Sequence, residues 1–150
     1  MRDDAVERIV SLFETFAPAD VQRLREYYHD DAYFKDPFNE VQGVDAIGRI
    51  YAHMFDSLDV PRFIVTQQMS QGTECWLVWE FQFRYRTFKK GQTQVVRGAS
   101  HFLLAPDGRI RSHRDYWDAA EEVYEKLPVI GMLMRWLKRR ARGAPGLRRD

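Results

Sequence analysis

Leu77-Val78-Trp79-Glu80-Phe81-Gln82-Phe83-Arg84-Tyr85 sets a large apolar side chain at every odd position, with Glu80, Gln82 and Arg84 among those between. A repeat of two belongs to a β-strand, whose successive side chains point to opposite faces, and one face here is apolar throughout. The strand reads from Glu74 to Phe88, with Lys90-Gly91 as hairpin tip and Thr93 to Leu104 as the returning strand. A two-residue turn predicts Phe83 opposite Gly98, Phe81 opposite Ser100 and Trp79 opposite Phe102. Val96, Gly98, Ser100 and Phe102 then share the inner face, and Glu80 sits across from His101 on the outer one. Phe63 to Met69 precedes the pair through a turn at Gly72. Pro106-Asp107-Gly108 follows it and leads into a last strand, Ile110 to Trp117. These four strands form an antiparallel meander.

Upstream, helical spacing takes over. Val6, Ile9, Val10, Phe13 and Phe16 mark a helix over residues 4–16. Pro18 suits the first turn of a second, running to about Tyr28 with Val21, Leu24 and Tyr28 inward. Ala32 to Lys35 is a short strand closed by Asp36-Pro37, because proline cannot continue a central ladder. Beyond a turn at Gln42-Gly43, a third helix carries Val44, Ile47, Ile50, Tyr51 and Met54 inward and ends near Leu58. A further helical segment starts near Asp118 and breaks before Pro128. The pattern predicts an α+β fold: a curved antiparallel sheet packing one face on the N-terminal helices.

A chain of 150 residues suits one domain with a sizeable core, and 45% hydrophobic residues place it among globular proteins. The net charge of +1 hides an asymmetry. Residues 126–150 hold eight basic side chains and one acidic, a surplus of seven that leaves −6 on the rest. An acidic body with a basic tail points to a local surface interaction and not to a nucleic-acid coat. Cys75 stands alone, so no intrachain disulfide and no thiolate zinc site is expected, and its place before Trp76 suits a buried, inert thiol. Neither a signal peptide nor an 18-residue apolar span is visible, and a cytoplasmic protein is the expectation.

Two stretches gather chemistry: Tyr33-Phe34-Lys35-Asp36-Pro37-Phe38 and His113-Arg114-Asp115-Tyr116-Trp117-Asp118. Each sets a carboxylate among aromatics at a strand edge, a setting that can raise a carboxyl pKa by withholding water from the charged form. His113 and Asp115 lie two apart, so they share a face with Trp117. Joined in one cavity, Asp36, His113 and Asp115 form a candidate acid–base site. The plainer alternatives are a turn aspartate before proline for Asp36, and a salt bridge to Arg111, Arg114 or another arginine for Asp115.

Tyr28-His29-Asp30-Asp31-Ala32-Tyr33-Phe34-Lys35-Asp36-Pro37-Phe38, with Gly108-Arg109-Ile110 and Arg114-Asp115-Tyr116-Trp117-Asp118, resembles the nuclear transport factor 2-like superfamily over residues 5–125. Ketosteroid isomerase, SnoaL-like polyketide cyclases and limonene epoxide hydrolase belong to it. The resemblance implies a cystatin-like α+β cone, a bent sheet around helices with a pocket at the open end. Asp36 matches the proton-shuttling base of the isomerase, and Asp115 the Asp of the Arg-Asp-Tyr step that helps activate water in the hydrolase. The cyclases also use an acid on this strand. At the isomerase's two oxyanion donors, ungapped alignment sets Leu12 and Ser100. The hydrolase's Arg and second Asp fall near Trp79-Glu80-Phe81-Gln82-Phe83, so neither catalytic set is complete.

The resemblance therefore implies a small hydrophobic substrate, with Asp36, Asp115 and His113 as catalytic candidates. Tyr33, Trp79, Phe81, Phe83, Ser100, Phe102 and Trp117 are candidates to bind it. The bland role of the aromatics is core. No cofactor and no metal are expected, since His29, His53, His101 and His113 lie on different elements. A homodimer through the outer sheet face, or a non-catalytic binding or interaction domain, stays open. The domain is expected at 1–127, a basic amphipathic helix of that domain at 128–142 and a disordered tail at 143–150. In that helix Ile130, Leu133, Met134, Leu137 and Ala141 form one stripe, Arg135, Lys138, Arg139 and Arg142 the other, and Trp136 marks the boundary. The apolar stripe is expected to cover the sheet or a neighbouring subunit; contact with an anionic membrane surface is the alternative.

Overall fold

The computed structural model of the chain describes residues 2–86, 91–122 and 128–141. It divides into two compact units, Met1–Trp117 and Asp118–Asp150. In the first, α1 (Arg2–Glu14) and a 3₁₀ segment (Pro18–Glu26) lead to β1 (Tyr28–Lys35), β2 (Glu40–Gln42) and α2 (Val44–Ser57). Then come β3 (Leu58–Gln71), β4 (Glu74–Tyr85), β5 (Gln94–Leu104) and β6 (Ile110–Tyr116). The second unit holds α3 (Ala119–Glu122) and α4 (Pro128–Ala141). Lys90 of the expected hairpin tip, Phe88 of the expected strand end and the tail 143–150 lie outside the described residues.

The α+β class holds. The six strands form one open sheet in the order β2-β1-β6-β5-β4-β3, and β3 to β6 are the expected antiparallel meander. The sheet is mixed, not purely antiparallel, because β1 pairs with β6 in parallel. That pairing sets Phe34 beside His113, and β5 sets Phe102 on its other side.

The register of the long hairpin differs from expectation by four residues: Phe83 faces Gln94, Phe81 faces Val96, Trp79 faces Gly98 and Leu77 faces Ser100. A shift of four in the partners means that the hairpin's midpoint falls two residues before the expected tip. An even shift keeps every side chain on its face, so the inner row survives while the partners change. On the outer face Glu80 pairs with Arg97, 3.6 Å apart, and not with His101. His101 instead faces Trp76, its Nε2 3.4 Å from Glu74 Oε2.

Pro61 lies inside β3, which is tolerated because β3 is an edge strand. The second helix is a 3₁₀ segment that stops at Glu26, and Tyr28 opens β1 instead of closing a helix. Gly43, at φ 102°, caps α2 and donates its N–H to Ala32 O at 2.8 Å, a turn that suits glycine.

The core of this unit lies between the sheet's inner face and the helices. Val6, Ile9, Leu12 and Phe13 of α1 and Ile47 and Tyr51 of α2 are buried there with Leu77, Trp79, Phe83 and Phe102. The Phe13 ring meets Phe63, Phe102 and His113 at centroid distances of 5.8, 6.1 and 5.8 Å.

Candidate functional site

Strand alternation puts Ser100 and Phe102 of β5 and His113 and Asp115 of β6 on the inner face, with Ser100 directly across from Asp115. His113 is 2% exposed, walled by the rings of Phe34 and Phe102 at 4.9 and 4.4 Å. A buried imidazole needs partners for both nitrogens, and it has them. Nδ1 lies 2.7 Å from Tyr28 Oη and Nε2 lies 2.7 Å from Asp115 Oδ1. Tyr28 Oη in turn lies 3.2 Å from Tyr51 Oη.

The direction of these bonds follows from chemistry. An ionised Asp115 only accepts, so Nε2 donates to it. In the neutral imidazole Nδ1 then accepts from Tyr28. Burial pushes the Tyr28 phenol far above its ordinary range, with the charge of Asp115 adding to the rise. Burial does the same to Tyr51. Both hydroxyls therefore keep their protons and serve as donors.

A second relay arrives from the other side. Trp79 Nε1 donates to Ser100 Oγ at 2.8 Å, and Ser100 Oγ donates to Asp115 Oδ1 at 2.5 Å. Gly98 makes this reach possible: a Cβ there would stand 2.6 Å from the Trp79 ring and 2.9 Å from Tyr116 O, so only a bare Cα lets the indole cross the strand. Two donors thus converge on Asp115 Oδ1, and among the described residues none donates to Oδ2.

Asp115, His113, Ser100 and Tyr51 border a cavity of about 20 Å³ whose other walls include Phe13, Phe63, Trp79 and Phe102. That volume holds about one water molecule. Phe63 and Val65 come from edge strand β3, where register shifts fall on either side of the segment, between Asp59 and Arg62 and between Val65 and Gln67.

Of the residues singled out in the sequence, the structure gathers Asp115, His113, Ser100, Trp79 and Phe102 around this cavity. Asp36 does not line the cavity, although its charge reaches Tyr51 in the wall and helps raise that phenol, and its oxygens are engaged in its own turn. Its Oδ1 accepts from Phe38 N at 2.7 Å and Asn39 N at 2.6 Å, and its Oδ2 from Asn39 Nδ2 at 3.1 Å. Tyr33 donates to Glu40 at 2.8 Å, Trp117 packs edge-on against Phe38, and Phe81 stacks between Phe63 and Phe83. Asp115 makes no ion pair with an arginine among the described residues, and Arg114 lies over the Tyr116 ring. Leu12 is buried and brings no donor. Among the described residues no cluster of three metal-binding side chains occurs. Cys75 is fully buried, and burial pushes its thiol up to about 11.

From the sequence Tyr28 and Tyr51 were expected as inward positions of helical stripes and not as site residues. The available signal was their hydroxyls: a buried tyrosine needs a polar partner, and the histidine of the last strand was a candidate.

An open six-stranded mixed sheet with helices packed on its inner face places the domain in the class of cone-shaped α+β folds. The SnoaL-like domain model matches residues 9–113, and the chain belongs to that family. No curated protein matches the sequence. Among solved structures, a protein of ketosteroid isomerase-like fold from Catenulispora acidiphila, in complex with trimethylamine, superposes with a TM-score of 0.68 at 15% identity over 83% of this chain and 93% of that one. A proposed SnoaL-like polyketide cyclase from Jannaschia sp. CCS1 gives 0.67 at 20% identity over 78% and 87%. An M. tuberculosis epoxide hydrolase resembling limonene epoxide hydrolase gives 0.65 at 14% over 91% of each chain. At these identities the likeness is one of fold.

Proposed function

We propose that the protein catalyses proton transfer on a small hydrophobic molecule, with Asp115 as the group that moves the proton. The observation that carries this reading is the convergence of two donor relays on Asp115 Oδ1 beside an apolar cavity. Held through one oxygen, the carboxylate presents the other to a substrate C–H or to a water. His113 and Ser100 are positioning residues in this scheme. The hydroxyl proton of Ser100 is committed to Asp115, so it does not serve as an oxyanion donor in this state. Asp36 acts as a turn residue. Isomerisation, aldol-type cyclisation and epoxide hydration share this proton chemistry. A substrate larger than water enters only if the wall moves, and Phe63 and Val65, between the register shifts of β3, are the part best placed to move.

The test is a panel of hydrophobic ketones and epoxides in deuterated buffer, scored for deuterium incorporation and diol formation. Asp115→Asn is expected to lower turnover by about 10²-fold or more, the usual worth of a positioned acid–base group, and Asp36→Asn to leave it within a few fold. Unchanged turnover in a folded Asp115→Asn protein overturns the assignment.

A second reading is favoured by a different observation. Met69, Trp76 and Tyr116 are exposed on the outer face, with Trp76 packed against His101 and Tyr116 at 4.7 and 5.7 Å. Such an aromatic patch suits a protein partner, and a second copy of this chain is the proposed one. Trp76→Glu is expected to shift the sedimentation of a dimer to that of a monomer; an unchanged value refutes this interface.

A further inference from the structure

We infer that α4 is a surface-lying anchor that binds an anionic lipid bilayer. Four apolar side chains of this helix, Met132, Leu133, Trp136 and Leu137, are exposed to between 44% and 66%. At 3.6 residues per turn the four fall within an arc of roughly 140°. Arg135, Lys138 and Arg139 lie on the rest of the circumference, and the helix has four basic residues and no acidic one. The arc is too short and too interrupted to cross a bilayer: no helix among the described residues is long and apolar enough to do so. It matches instead the geometry of a helix lying in the headgroup plane.

Arg140 decides between a bilayer and a second protein as the occupant. It falls inside the apolar arc, with its guanidinium 5.0 Å from the centre of the Trp136 ring. In a dry protein interface that charge would need a buried carboxylate, and α4 has none to offer in a symmetric pair. At a membrane surface the stem lies along the acyl boundary while the guanidinium reaches lipid phosphate, and an indole prefers the same depth. The sequence beyond α4 adds Arg142, Arg148 and Arg149 against one acid, Asp150.

The experiment is co-sedimentation of the full chain with vesicles of phosphatidylcholine containing 25% phosphatidylglycerol, and with phosphatidylcholine alone. Binding to the anionic vesicles is expected at 0.1 M salt, with a loss of at least tenfold at 0.5 M as the charges are screened. Arg139→Gln with Arg140→Gln is expected to weaken it roughly 30-fold, about fivefold for each charge near an anionic surface. Leu133→Ser with Leu137→Ser is expected to abolish it. Should that variant lose helicity, brominated lipid supplies the second readout, quenching wild-type fluorescence but not that of Trp136→Phe. Equal affinity for both vesicle types, no binding to either, or a dimer that Leu133→Ser/Leu137→Ser dissociates without any vesicle binding overturns the inference.

Discussion

Replacing His113 by phenylalanine keeps a ring of similar size among Phe13, Phe34 and Phe102 and removes both nitrogens. Packing is nearly conserved, so the cost is that of lost hydrogen bonds. Tyr28 Oη, in a residue with no exposure at all, is left with only the 3.2 Å contact to Tyr51. A buried hydroxyl losing its partner costs about 1–3 kcal/mol, and a hydrogen bond to a charged group contributes about 1.5–3 kcal/mol. Asp115 keeps 18% of its side chain exposed and recovers part of its loss by hydration. The balance is about 3 kcal/mol, or roughly 9 °C in Tm for a chain of this length. Tyr28→Phe alone, which orphans Nδ1, should cost about 2 kcal/mol. In the double variant both partners of the 2.7 Å bond are gone and neither is orphaned by the other. Its cost should therefore fall short of the sum by at least about 1 kcal/mol. Urea unfolding of the four proteins, followed by circular dichroism with a common m-value, measures that coupling. Additivity within about 0.3 kcal/mol, with His113→Phe costing under about 1 kcal/mol, would show that the relay does not hold the fold.

Other expectations follow from the same geometry. Tyr28 and Tyr51 have pKa values raised by burial, so their contribution to stability is complete below the unfolded value of about 10 and declines as pH rises toward the folded values. Each should steepen the alkaline loss by up to about 1.4 kcal/mol per pH unit above 10, and denaturant titrations at pH 9–11 should show a shallower slope in Tyr28→Phe. Gly98→Ala forces a methyl against the Trp79 ring and a backbone carbonyl, and should lower stability by about 1–3 kcal/mol and alter Trp79 fluorescence. Val60 holds φ at 50° while 72% exposed, so Val60→Asn should raise the urea midpoint, relieving roughly 1 kcal/mol of left-handed strain. The Cys75 thiol should resist aromatic disulfide reagents in native protein at pH 8 and react at once in denaturant.

The alternation from Leu77 to Tyr85 disclosed the sheet and its inner face because a period of two is local information. The partners across the hairpin were not legible, since they depend on where the chain turns, and the turn carries no periodic signal. An error of four residues left Trp79 inward but concealed that it faces Gly98, and hence that its indole reaches Ser100. The parallel pairing of β1 with β6 is likewise a property of the whole chain, and it is what brings Phe34 beside His113. His113 and Asp115 announced themselves by spacing on one strand, whereas Tyr28 and Tyr51 were disguised as apolar stripe positions. Asp36 had the stronger motif in Asp-Pro, yet that step is also an ordinary turn, and the turn takes up its oxygens.

The imidazole nitrogens of His113, resolved by ¹⁵N magnetic resonance and assigned by the loss of signal in His113→Phe, report directly on the preformed carboxylate–imidazole pair. The account requires a proton on Nε2 that exchanges slowly and shifts in Asp115→Asn, with Nδ1 bare and accepting from Tyr28. A bare Nε2, or an Nε2 proton that exchanges freely and ignores the substitution, would contradict it.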